Sequence, residues 1–206
     1  MAGLGLTTEA IVLEKRPTAS DGWENYRLFT PEAGLLSALR RQSKKVSAAD
    51  VPLDLFDDAE ITLESSNQGR SWFVREVQIR ARHADIGRSY EALLAASTFA
   101  RLIARNPVGP ESRPAILTLL REALAAFATR VRPEIVLLKS VYRFARDEGY
   151  PVRQGWLASI PEAERPAVLD LLTQPSKVST ASAGEVAAWQ RRLDDYLRSE
   201  ADLVIE

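Results

Sequence analysis

Apolar and polar positions change period once along this chain. Up to about residue 80 they alternate, and from His83 onward they recur every three to four residues. The alternating part divides into five short stretches. Residues 8–15 have an apolar centre at Ile11, Val12 and Leu13, and Pro17 ends them. Glu24 to Arg40 reads as a hairpin: Tyr26 and Leu28 alternate with Arg27 and Phe29, and Pro31-Glu32-Ala33-Gly34 makes the connection. Leu35, Leu36, Ala38 and Leu39 carry the return strand. Residues 59–64 and 71–80 supply the fourth and fifth strands. In the fifth, strict alternation puts Phe73, Arg75, Val77 and Ile79 on one face and Trp72, Val74, Glu76 and Gln78 on the other. Ser20-Asp21-Gly22 and residues 65–69 are turns by composition.

The helical part opens with an amphipathic segment through Tyr90, Leu93, Leu94, Ser97, Phe99, Ala100 and Ile103, stopped at Asn106-Pro107. Residues 115–131 give a second helix. Pro133 opens a third that runs to Gly149. Ser159-x-x-Glu162 and Ser182-x-x-Glu185 both have capping-box spacing, so two more helices are expected there. The last spans about 183–204, with Val186, Trp189, Leu193, Tyr196 and Leu197 on its apolar face. The expected class is α+β: residues 1–80 as a five-stranded antiparallel OB-fold β-barrel, and residues 81–206 as an all-α domain.

Composition narrows the chemistry. Hydrophobic residues make up 46% of the 206 and charged residues 27%, the profile of a globular protein. No basic region precedes an apolar core at the start, and no apolar run reaches membrane-spanning length, so a cytoplasmic location is expected. With no cysteine and a single histidine, thiolate and histidine-cluster metal sites are excluded. Net charge is −1, yet it is uneven. Residues 1–69 carry 7 Lys/Arg against 11 Asp/Glu, residues 70–160 carry 15 against 8, and residues 161–206 carry 5 against 9. The positive middle points to an anionic partner.

No nucleophile–base constellation, phosphate loop or G-x-S-x-G elbow occurs, so no enzyme and no cofactor are expected. His83 reads as structural or merely exposed. Asp54, Asp57, Asp58 and Glu60 read as a solvated acidic loop. What remains is a basic run, Arg40, Arg41, Lys44 and Lys45, hanging as a flexible loop from the third strand. Such a run suits a phosphate backbone, because each neutralised phosphate releases condensed counterion. A solvated loop has the same composition. Trp23, Tyr26, Phe29 and Trp72 are aromatics of the kind that stack bases; Phe29 and Phe73 read as core, and the pattern leaves Trp23 and Trp72 undecided between packing and ligand contact.

In order and spacing these features resemble the bacterial recombination mediator family RecO. The resemblance covers residues 8–155 and is carried by Ile11-Val12-Leu13, Ser20-Asp21, Phe29-Thr30, Gly34-Leu35-Leu36-Ser37-Ala38 with its basic tail, and Gly149-Tyr150. It implies a non-enzymatic, nucleoid-associated DNA repair and recombination protein. Such a protein binds single- and double-stranded DNA, anneals strands and helps load recombinase onto DNA coated with single-strand-binding protein. The implied protein partners are RecR and the acidic C-terminal tail of single-strand-binding protein. Carried onto this sequence, the family's basic positions are Arg41, Lys44 and Lys45 and its tail-binding cation is Lys139; Arg40, Arg27 and Trp23 join the expected DNA contacts, and Arg143 the expected tail contacts, from their places in the chain. Two departures stand out: many members carry a cysteine zinc module that this chain lacks, and Arg41-Gln42 stands where the family has Lys-Gly. The alternative expectation is an adaptor on the same scaffold that takes acidic peptides with little DNA binding.

Overall fold

The computed structural model describes residues 4–19, 22–42, 51–65, 68–201 and 203–205. Lys44, Lys45, Ser20-Asp21 and the middle of the 65–69 turn lie outside the described residues. The chain is α+β and divides into two units, Met1–His83 and Ala84–Glu206.

The first unit is a five-stranded sheet: β1 (Leu4–Pro17), β2 (Trp23–Thr30), β3 (Gly34–Arg41), β4 (Asp58–Ser65) and β5 (Trp72–Ala81). The strands pair in the order β1-β2-β3-β5-β4, and β4 returns to β1, so the sheet closes on itself. The expected all-antiparallel pairing does not hold. β3 and β5 run parallel through Ala38–Trp72 and Leu39–Phe73. A ring of five strands cannot alternate direction all the way round, so one pair must be parallel.

β1 is longer than its apolar centre suggests because it serves two ladders. Leu4–Ile11 pairs with β4 and Ile11–Pro17 with β2, and a register shift between Val12 and Glu14 lets the strand bend between them. The hairpin of β2 and β3 follows the alternation, from Trp23–Arg41 to Thr30–Gly34. The buried Thr30 hydroxyl organises its turn, donating to the Gly34 carbonyl at 3.1 Å and accepting from the Ala33 amide at 3.2 Å. Gly34 has φ +69°, which a side chain would strain.

Inside the sheet, Ala10, Val12, Tyr26, Leu28, Leu36, Ala38, Ala59, Ile61, Leu63 and Val74 pack with Leu53 from the β3–β4 connection. Each large aliphatic there contributes about 1.5–3 kcal/mol on burial. Strict alternation fails in β5. A register shift opposite Thr62–Leu63 leaves Arg75 as an extra residue, so Trp72 and Val74 before it and Val77 and Ile79 after it all reach the same core.

The acidic stretch is solvated only in part: Asp54 is exposed and Glu60 half-buried. Asp57 and Asp58 are buried, Phe56 sits at φ +65°, and the backbone of residues 56 and 57 bonds to Val12 on both sides at 3.0 Å. The Asp57 carboxylate accepts from the Asp54 amide at 2.8 Å and faces Arg82 at 3.5 Å. Burial pushes its pKa up against those partners.

The second unit holds α1 (Tyr90–Arg105), α2 (Arg113–Ala128), α3 (Pro133–Asp147), α4 (Trp156–Ser159), α5 (Arg165–Thr173) and α6 (Ala183–Glu200). α3 is central, packing on α1, α2 and α6. The Ser89 hydroxyl caps α1 through the Ala92 amide, and Pro107 forces Asn106 into an extended conformation that stops it. α2 ends at Ala128, three residues before the expected limit, and Gly149 at φ +86° follows the end of α3. The capping box at Ser182 forms in full: its hydroxyl accepts from the Glu185 amide, and Glu185 reaches back to the Ser182 amide. The one expected at Ser159 does not. Ser159 closes α4, its hydroxyl donates to the Trp156 carbonyl at 2.7 Å, and the next helix starts at Arg165 with Pro166 in its first turn. Among the described residues, no helix is long and apolar enough to cross a membrane.

Candidate nucleic-acid interface

Alternation in β2 and β3 sends two rows of side chains in opposite directions. Tyr26, Leu28, Leu36 and Ala38 enter the core, so Trp23, Asn25, Arg27 and Phe29 lie on the opposite face of β2, where the first three are half-buried and Phe29 is buried. Opposite them stand Arg41, Leu39, Ser37 and Leu35 of β3. β5 continues this face with Phe73, in register with Leu39. Trp23 meets Phe73 edge to face, with ring centroids 5.8 Å apart and planes at 69°. Trp23, Leu39 and Phe73 are each half-buried, and Arg41 and Ser37 are exposed. The face therefore carries an aromatic pair with a cation at each end of a row about 13 Å long, the span of four strand residues.

The expected site residues separate on this framework. Trp23, Arg27 and Arg41 share the outward face. Arg40 does not. β3 runs through Arg41, so Arg40 and Arg41 are strand residues facing opposite ways rather than parts of a flexible loop. Arg40 pairs in register with Glu24, on the side of Tyr26. There the Tyr26 hydroxyl donates to Glu24 and also contacts the Leu53 carbonyl at 3.1 Å. Burial and the Glu24 charge push the Tyr26 pKa up. Burial pushes Glu24 upward too, but its hydrogen bonds with Tyr26 and Gln42 and the Lys15 charge outweigh this and hold it low. Glu24 thus sits beside Arg40 as a carboxylate. Lys44 and Lys45 lie outside the described residues.

Of the aromatics that could stack bases, Tyr26 is 1% exposed and cannot, while Phe29, expected in the core, is buried at 1% as well. Trp72 turns inward against the core. Phe73, expected in the core, is instead the partner of Trp23 on the open face; the bulge at Arg75 is what misplaced it. Asn25 was not singled out from the sequence, yet it lies between Trp23 and Arg27, and its Oδ1 is buried with no hydrogen-bond partner among the described residues.

In the helical unit, the Lys139 ammonium donates to the Gln174 carbonyl at the end of α5, at 2.6 Å. Burial and the neighbouring Arg143 lower its pKa. Arg143 is paired with Glu122 at 2.6 Å. Both cations expected to meet an acidic tail are thus engaged within their own unit. Other arginines of the positive middle are likewise paired, Arg88 with Asp85, Arg132 with Glu134 and Arg146 with Asp147. Among the described residues, no group of three or more His, Cys, Asp or Glu side chains is placed to hold a metal.

No protein-family model matches the chain, and no curated protein matches it in sequence.

Proposed function

We propose that the chain is a non-enzymatic DNA-binding protein of the recombination-mediator type, with the outward face of β2, β3 and β5 as its nucleic-acid surface. The observation that carries this reading is the Trp23–Phe73 pair flanked by Arg27 and Arg41. Aromatics offer a sequence-tolerant surface to bases, while arginines take backbone phosphates. The strand order, with β1 shared by two ladders and one parallel β3–β5 pair, supports an OB-type barrel beneath that face. The resemblance to RecO extends the proposal to strand annealing, RecR and the acidic tail of single-strand-binding protein, in the nucleoid. For that tail, and equally for the alternative of an adaptor that takes acidic peptides, Lys139 and Arg143 would first have to leave Gln174 and Glu122.

The test is fluorescence anisotropy of labelled single-stranded DNA at two salt concentrations. Binding that weakens steeply with salt, and weakens further in Trp23→Ala and Arg41→Ala, is expected. Salt-sensitive binding untouched by either substitution would move the surface elsewhere, and no binding at low salt would end the proposal.

A further inference from the structure

The helix stop at Asn106 has a second consequence. Asn106 is 6% exposed, and its side-chain amide is fully used. Its Nδ2 donates to the Leu102 carbonyl at 2.7 Å, closing α1, and to the Val204 carbonyl at 3.1 Å. Its Oδ1 accepts from the Val204 amide at 2.9 Å. One side chain therefore reads both backbone groups of a single residue, and does so whatever side chain that residue carries. Val204 itself is 47% exposed, while Leu203 beside it is buried at 6% and its amide bonds to the Leu197 carbonyl at 3.2 Å. Next to this segment a pocket opens between α1, α3 and α6, with Arg101, Arg105, Gln190 and Asp194 at its polar edge and Val141, Val204 and Ile205 among its walls.

We infer that Asn106 and the surrounding surface of α1 and α6 form a receptor for an apolar segment with acidic flanks, and that residues 203–205, which wall the pocket from one side, are its resident, detachable occupant. The chemistry of the occupant is read from the one in place. Leu203, Val204 and Ile205 are apolar and lie between Asp202 and Glu206 in the sequence, while Arg101 and Arg105 outnumber Asp194 at the edge of the receptor. Its hold among the described residues is modest: one buried leucine, two hydrogen bonds to the Asn106 side chain and one backbone hydrogen bond to Leu197. Joined to α6, the segment competes at an effective concentration on the order of millimolar, so an added peptide binds only after the resident is released.

The experiment keeps the full chain and uses a labelled peptide of residues 199–206. Leu203→Asp replaces the buried side chain, and Val204→Pro removes the amide that Asn106 accepts from. Either variant is expected to bind the peptide with at least about tenfold higher affinity than the unaltered chain. Adding Asn106→Ala to either is expected to remove that gain, since two backbone hydrogen bonds are lost. The inference fails if neither variant gains affinity while both keep the helical circular dichroism of the parent. It also fails if the gain survives Asn106→Ala, because the backbone is then not what is read.

Discussion

Trp23 and Phe73 touch although they lie on strands that do not pair: β3 runs between β2 and β5, and the two rings meet edge to face across it. This contact turns two half-buried aromatics into one ordered surface. Trp23→Ala is expected to lower single-strand affinity by about 1–3 kcal/mol, the range for loss of one stacked base, with little change in stability. Trp72→Ala should do the reverse, because that ring packs against the core. Anisotropy and urea denaturation on both variants separate the two roles. Equal binding losses in both would show that the outward orientation of Trp23 is irrelevant.

Arg40 and Arg41 are adjacent in sequence but opposed in space. Arg41→Ala is expected to weaken binding to all sequences alike and to shrink the slope of log affinity against log salt by about 0.7, the value for one single-strand phosphate. Arg40→Ala should leave the slope unchanged, since its register partner Glu24 already faces it. A matching drop in both would mean that the basic run acts as one loop after all.

The β half was the more legible part of this chain, since period-2 alternation and the Pro-Glu-Ala-Gly turn located the β2–β3 hairpin without long-range information. What alternation could not show is where it breaks. The bulge at Arg75 reversed the face assigned to Phe73, and the bulge near Leu13 hid the bend that lets β1 join two ladders. Bulges satisfy closure of the sheet, a property of all five strands together. Burial of Asp57 was equally invisible, because four acids in seven residues read as solvated until Arg82, distant in sequence, is brought to face one of them. Cap chemistry was local at Ser182 and therefore readable. At Ser159 the same spacing misled, because the serine closes a helix instead of opening one.

Ser182 offers a direct check on that distinction. Ser182→Ala removes an acceptor for the Glu185 amide and the donor to its carboxylate, and is expected to cost about 1 kcal/mol. Ser159→Ala removes only the bond to the Trp156 carbonyl and should cost less. Thermal denaturation of the two variants gives the comparison, and a larger loss at Ser159 would reverse the assignment of caps.

His83 sets a pH dependence for the β unit. Burial lowers its pKa below 6.5, against the pull of Asp58 and Asp57, which raise it. The unfolded chain takes up a proton near pH 6.5 while the folded one resists, so the stabilising contribution is present above that pH. It is lost as pH falls from 6.5 through the folded pKa. Asp57 acts with the other sign and in a lower window. Its raised pKa means that the folded form holds a proton more tightly than the unfolded one, so its burial cost is relieved as pH falls toward 3.8. Between about pH 7 and pH 5.5 the histidine dominates. The urea midpoint, followed by tryptophan fluorescence, is expected to fall across that interval in the parent chain and to stay nearly flat in His83→Gln. A fall of the same size in both would place the acid sensitivity in some other group.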